Sequence, residues 1–117
     1  MQEILQKIIE NIPGAEGAIL MGFDGIAVMQ ATRDASDTDI ESVAMEFSFR
    51  FIELCKAAES LEMGTITDIT VKADGGTLIT RVLNEEFFVS VFLADPRHLG
   101  RGRWILRTHA VDLAAQL

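Results

Sequence analysis

Apolar residues recur at helical spacing in three stretches of the chain, and in alternation or unbroken runs in five others. In "QEILQKIIENI", Ile4, Leu5, Ile8, Ile9 and Ile12 share a face, with Glu3, Lys7 and Glu10 elsewhere. This predicts an amphipathic first helix stopped by Pro13-Gly14. "AEGAILMGF" and "GIAVMQAT" predict two apolar strands joined around Asp24-Gly25. An Asp-Gly pair between apolar runs signals a hairpin, because both residues accept positive φ cheaply. A calcium loop needs a series of oxygen ligands, which Phe23 and Ile26 interrupt. A phosphate loop needs more glycines and a lysine followed by Ser or Thr. The stretch therefore reads as a turn.

The next helix is expected from about Asp39 to Glu59. Asp34, Asp37, Asp39 and Glu41 crowd its start, where acids complement the helix dipole, and Thr38 with Glu41 reads as a T-x-x-E capping box. One apolar stripe holds Ile40, Val43, Ala44, Phe47, Phe51, Leu54, Cys55 and Ala58. A second holds Met45, Phe49 and Ile52, leaving Ser42, Glu46, Arg50, Glu53 and Lys56 for water. A surface helix needs one stripe of little more than 100°. Two stripes imply two surfaces to cover, so a partner is expected here.

"TITDITVKA", "GTLITRVL" and "EFFVSVFLA" predict three more strands in a meander, separated by Asp74-Gly75-Gly76 and Asn84-Glu85. The first alternates except for a slip near Asp68, which suggests a β-bulge. "FFVSVFL" is nearly all apolar, as expected of a central strand covered on both faces. Asp95-Pro96 reads as an N-cap followed by proline at the first position of a last helix. That helix carries Leu99, Trp104, Ile105, Leu106, Ala110, Val111, Leu113, Ala114 and Leu117. Gly100 and Gly102 weaken its first turns or admit a close neighbour. The expected order is helix, two strands, helix, three strands, helix, all within one domain spanning residues 1–117.

Composition narrows the chemistry. Of 117 residues, 49% are hydrophobic, enough for a core without disulfides or metal. Cys55 is the single cysteine and has no partner for an internal disulfide, which points to a reducing, cytoplasmic setting. Ile4 to Ile12 is too short and too charged for a signal peptide or a membrane span. The net charge of −8 disfavours nonspecific contact with nucleic acid or anionic lipid. Yet Arg97, Arg101, Arg103 and Arg107 face only Asp112 from residue 96 onward, a basic run expected to be a solvated helix face held by salt bridges.

No catalytic constellation emerges. His98 and His109 lie about 16 Å apart along one expected helix, too far for a shared metal. Cys55 sits on an apolar stripe, where a thiol behaves as a small core residue. Ser90 lacks a G-x-S-x-G elbow, Glu85-Glu86 falls at a turn, and "GRG" before Arg103 follows no strand. No enzyme activity, metal or cofactor is expected.

The element order resembles the roadblock family, a class of roadblock/profilin-like α+β domains that includes dynein light chains and bacterial MglB-type regulators of small GTPases. Gly22, Asp24, Gly25 and Val28 match its G-x-D-G-x-x-V hairpin, and Gly100, Gly102 and Arg103 match the opening of its last helix. The resemblance covers essentially the whole chain. It implies a five-stranded antiparallel sheet with the long second helix on one face and the terminal helices on the other. It also implies a homodimer built by pairing third strands and juxtaposing second helices, with Met45, Phe49, Ile52, Thr65, Thr67, Ile69 and Val71 at the interface. The paired helices would bind a small Ras-like GTPase through Ser42, Glu46, Phe49, Arg50 and Glu53. Such regulators reposition the GTPase's own catalytic groups; Arg50 is expected to pair with Glu46 or Glu53 on its helix instead of acting as an arginine finger. The alternatives are a structural adaptor that binds without altering hydrolysis, and a ligand-sensing domain, which needs a polar-lined pocket.

Overall fold

In a computed structural model that describes residues 1–117, the chain runs α1 (Gln2–Asn11), β1 (Ala15–Gly22), β2 (Ala27–Thr32), α2 (Ile40–Ser60), β3 (Asp68–Ala73), β4 (Gly76–Val82), β5 (Phe87–Leu93) and α3 (Leu99–Ala115). A 3-10 turn, Pro96–His98, precedes α3. The strands form one antiparallel sheet in the order β2-β1-β5-β4-β3. The nearly all-apolar β5 is central, as its sequence predicts.

Strand alternation divides the core between two faces. Leu5, Ile8 and Ile9 of α1 and Ile12 just beyond its end, with Ile105, Leu106 and Leu113 of α3, pack on Ala18, Leu20, Ile79, Val89, Val91 and Leu93. A Cβ at Gly102 would stand 3.2 Å from Ile12 Cγ2 and 3.3 Å from Ile79 Cδ1, so this glycine admits the close neighbour. Gly100 meets nothing within 4 Å. On the other face Ile40, Ala44 and Phe51 of α2 cover Ile19, Met21, Leu78 and Phe88. Phe51 meets Phe88 edge-on at 5.3 Å, a favoured aromatic geometry. Ser90 and Thr80, both buried, satisfy each other through a 2.6 Å hydroxyl contact.

Local details differ from the sequence expectations in four places. Four residues, Phe23-Asp24-Gly25-Ile26, separate β1 from β2: Gly25 N–H donates to Gly22 O and Gly22 N–H to Ile26 O, both at 2.9 Å. Of Asp24 and Gly25 only Gly25 has positive φ, at 85°. Asp24 instead accepts the Ile26 N–H through Oδ1 at 3.0 Å, and the β1–β2 register shifts nearby, between Leu20 and Met21. Second, β3 begins only at Asp68 and pairs with β4 without a register shift, so there is no bulge. The slip in the pattern marks where the strand starts. Third, the cap of α2 is Asp39, whose carboxylate accepts from Ser42 N–H at 3.2 Å and Ser42 Oγ–H at 2.7 Å; Thr38 N–H turns back to Ser36 Oγ. The capping frame lies one residue beyond the T-x-x-E reading. Fourth, His98 ends the 3-10 turn and His109 lies on α3, so they do not share one helix.

Helix α2 closes with Met63 N–H donating to Ala58 O and Glu62 N–H to Glu59 O. This pair of bonds requires a left-handed residue in the position that glycine favours. Glu62 fills it at φ 57°. Glu62→Gly should relieve the left-handed strain and raise stability by about 1 kcal/mol, a few degrees in thermal midpoint by calorimetry. Asp95 supplies a pH-dependent term. Hydrogen bonds from the Arg97 side chain and then its backbone N–H lower its pKa from 3.8 to about 2. A depressed folded-state pKa stabilises fully above the unfolded value, and the benefit is lost as pH falls. Between pH 3.8 and about 2, Asp95→Asn should therefore flatten the decline in thermal midpoint seen for the unmodified chain.

Candidate functional site

Helix α2 presents Ser42, Glu46, Phe49, Arg50 and Glu53 on one exposed face. Their spacing over three turns makes the face continuous. The Ser42 hydroxyl is engaged by the Asp39 cap, which in turn holds the Asp39 carboxyl below its ordinary value. Arg50 lies back along its helix, donating to Glu46 O at 2.9 Å with the Glu46 carboxylate 3.7 Å away. Both side chains are largely exposed, so the pair contributes little stability and is readily exchanged for another partner.

Apolar residues border this face on both sides. Phe49 is 54% exposed, Met45 42% and Leu54 46%. Leu54, assigned by its spacing to the inner stripe, is thus uncovered. Phe49 and Leu54 are out of phase and lie on opposite flanks of the helix. Met45 and Phe49 abut the β1–β2 loop: a Cβ on Gly25 would come 3.6 Å from Met45 and 3.9 Å from Phe49. On that side Ser48 is buried, its hydroxyl turned onto Met45 O at 2.8 Å, and its small size lets the loop tip approach. The sequence carried a weak signal for this, since Ser48 falls between the buried Ala44 and Phe51 at helical spacing.

The seven expected interface residues do not gather on one surface. Ile52, Thr65 and Thr67 line a cleft of about 760 Å³ between the second half of α2, the loop before β3 and the β4–β5 turn. Thr65 and Thr67 precede β3, although Thr67 O still accepts the Val82 N–H of β4 at 2.9 Å. Ile69 and Val71 are on β3, half-buried against the α2 core together with Val43, Phe47 and Phe92. β3 is bonded only to β4 and so is one edge of the sheet. The other edge, β2, has α1 on one side and α2 on the other; β3 has no comparable helical cover.

The groups weighed for chemistry are separately occupied. Burial, and then Glu59, push the Cys55 thiol up from its ordinary pKa, opposite to what activates a thiolate. Glu85 and Glu86 are exposed at a turn where Asn84 Oδ1 accepts the Glu86 and Phe87 N–H groups. No three His, Cys, Asp or Glu side chains lie close enough to hold a metal ion. No helix is long and apolar enough to cross a membrane. The basic run is partly paired, Arg97 with Asp95 at 2.6 Å and Arg103 with Asp68 at 3.2 Å. Sequence reading missed one surface feature: Trp104 and Val111, counted among the apolar positions of α3, are 65% and 70% exposed. They lie seven residues apart, away from the buried Gly102–Ile105–Leu106–Leu113 stripe.

No family model and no curated protein matches this sequence, but solved structures match its fold. MglC from Myxococcus xanthus aligns with a TM-score of 0.72 at 28% identity, over 98% of this chain and 97% of that one. The gliding protein MglB from Thermus thermophilus aligns with a TM-score of 0.86 at 14% identity, over 97% of this chain and 84% of its own. A Roadblock/LC7 domain from Streptomyces avermitilis aligns with a TM-score of 0.85 at 12% identity, over 99% and 96%. With its three helices and five-stranded antiparallel sheet, the chain has the roadblock fold.

The corrected cap makes a direct prediction. Asp39→Ala should lower the thermal midpoint by removing acceptors from the first turn of α2, whereas Thr38→Ala should have the smaller effect in parallel melts.

Proposed function

We propose that this chain is a non-catalytic regulator of roadblock type that self-associates into a two-fold dimer and presents its paired α2 helices to a small Ras-like GTPase. The observation that carries this reading is an incompletely covered apolar flank, with Val43 and Phe47 half-buried and Leu54 exposed, on a helix that shares its core with Ile69 and Val71 of an edge strand. An open strand edge beside apolar surface invites a second copy, and two-fold symmetry satisfies both copies at once. Self-association through this flank leaves Ser42, Glu46, Phe49, Arg50 and Glu53 facing solvent for the GTPase. The likeness to MglB and MglC, the former described as a gliding protein, supports a regulatory role. Arg50 and the flanking glutamates offer polar contacts around Phe49, and the one hydroxyl on this face, that of Ser42, is tied up by the Asp39 cap. The GTPase therefore supplies its own catalytic groups, and this surface positions them.

Sedimentation velocity and single-turnover GTP hydrolysis test the two halves separately. The unmodified chain should sediment as a dimer at micromolar concentration. Leu54→Glu should weaken that dimer roughly tenfold or more, because each copy loses an apolar contact and gains a like charge. Its circular dichroism should remain native, since Leu54 is already half exposed. Phe49→Glu should leave the dimer intact while abolishing binding to the GTP-loaded GTPase and any change in its turnover. A folded, monomeric unmodified chain would remove the dimer; binding without altered turnover would make the protein an adaptor.

A further inference from the structure

On the sheet face opposite α2, the exposed side of α3 and the end of β4 enclose a cleft of about 610 Å³. Trp104, Val111 and Ala114 form one wall, Val82 and Leu83 the other, with Arg107 and Arg81 at the rim. A shallower depression of about 270 Å³ continues past Trp104 to Arg103, Asp68 and Thr70. Trp104 is the chain's only tryptophan, and it is 65% exposed. An exposed tryptophan beside arginines is the combination that most often anchors protein contacts.

The charge here runs against the rest of the molecule. Arg81 and Arg103 share a single carboxylate, Asp68, which lies 3.7 Å from Arg81 and 3.2 Å from Arg103. Arg107 makes no ion pair. The surroundings of the cleft are thus positive in a chain of net charge −8. Moreover, α3 has no acidic residue in its first turn and carries Arg101 and Arg103 as its third and fifth residues. A helix N-terminus repels cations, so these arginines are placed where they cost helix stability. Burial does not explain them either, because all three of Arg101, Arg103 and Arg107 are exposed.

We propose that this cleft docks a short acidic segment of a partner protein, with one bulky apolar side chain against Trp104 and Val111 and flanking carboxylates on Arg107, Arg81 and Arg103. Size selects a peptide over a larger polyanion. The field of the arginines is screened within about 8–10 Å, so a short segment feels mainly the cleft. A membrane or a nucleic acid extends far enough to meet the acidic remainder of the chain. The site lies across the sheet from α2 and does not depend on the GTPase reading.

Trp104 also makes the test direct, because its emission is the only tryptophan signal and the chain has no tyrosine. Random short peptides displayed on phage, panned on the purified full chain, should enrich sequences in which Leu, Ile, Phe or Trp is flanked by Asp or Glu. A synthetic enriched peptide, chosen without tryptophan, should shift Trp104 emission to the blue. Arg107→Glu should weaken its binding roughly tenfold or more, while Lys56→Glu, the same charge change on α2, should not. Trp104→Ala should weaken binding similarly when read by calorimetry, with native circular dichroism for every variant. Leu54→Glu should bind the peptide normally even where it breaks the dimer, which keeps this site's failure distinguishable from failure of the regulatory reading. The proposal is overturned if enriched peptides lack acids, or if Arg107→Glu binds them unchanged. It is also overturned if Arg107→Glu alters the oligomeric state of the free chain, which makes the cleft a contact between copies. A Trp104 shift with phosphatidylserine vesicles but with no peptide would overturn it in favour of a lipid surface.

Discussion

One helix has to cover a five-stranded sheet face, and it is too narrow to do so. Strands about 4.8 Å apart make the sheet roughly 20 Å wide between its outer strands, whereas a helix with its side chains is about 10–12 Å across. On the opposite face α1 and α3 together meet that width, and their residues complete a large buried cluster. On this face α2 packs mainly over β1, β2 and β5 and leaves the β3 side open. The half-buried state of Ile69, Val71 and Phe92, and the exposure of Leu54, follow from that deficit. The smaller α2 cluster is the same deficit seen from inside.

Most of the fold could be read from the chain because period and punctuation agree along it. Pro13-Gly14, Asp24-Gly25, Asp74-Gly75-Gly76 and Asp95-Pro96 each fall where an element ends and the hydrophobic period changes. Burial on both faces gave β5 its central place. The reading failed where several residues qualified for the same local role. Thr38 and Asp39 are both good caps, and the choice turned on whether Ser42 could return a hydroxyl hydrogen bond. The form of the hairpin loop depended on a register shift that no local residue announces.

The candidate site was legible only in outline, for a different physical reason. Helical periodicity reports the angle of a side chain about its axis, and on that basis it groups Ser42, Glu46, Arg50 and Glu53 on one side of α2; Phe49 joins them only through the family resemblance. It does not report what lies beyond each flank. The family resemblance puts Met45 and Phe49 together with Ile69 and Val71 at one interface. In the fold the first pair lies against the β1–β2 loop, held there by Gly25, while the second lies in the β3 ladder. Likewise Trp104 and Val111 count as apolar positions of α3, although their phase differs from that of Gly102, Ile105 and Leu113. A hydrophobic residue out of phase with its neighbours' core stripe is a surface signal.

The sheet keeps the two proposed surfaces apart, and symmetry then fixes how they are displayed. Pairing β3 with its copy antiparallel, about a two-fold axis normal to the sheet, preserves faces: both α2 helices lie on one side and both α3 helices on the other. The GTPase surface and the Trp104 clefts would then point in opposite directions, with two clefts on a common face. A partner with two acidic segments would engage both, gaining affinity through effective concentration without any new contact. Because β3 and β4 would lie next to the proposed dimer axis, Arg81 and Asp68 would place the clefts nearer to each other than to the outer β2 edges. The separation a linker must span is therefore set by the inner strands, and disrupting β3 pairing would convert two-point attachment to one-point attachment while leaving each cleft intact.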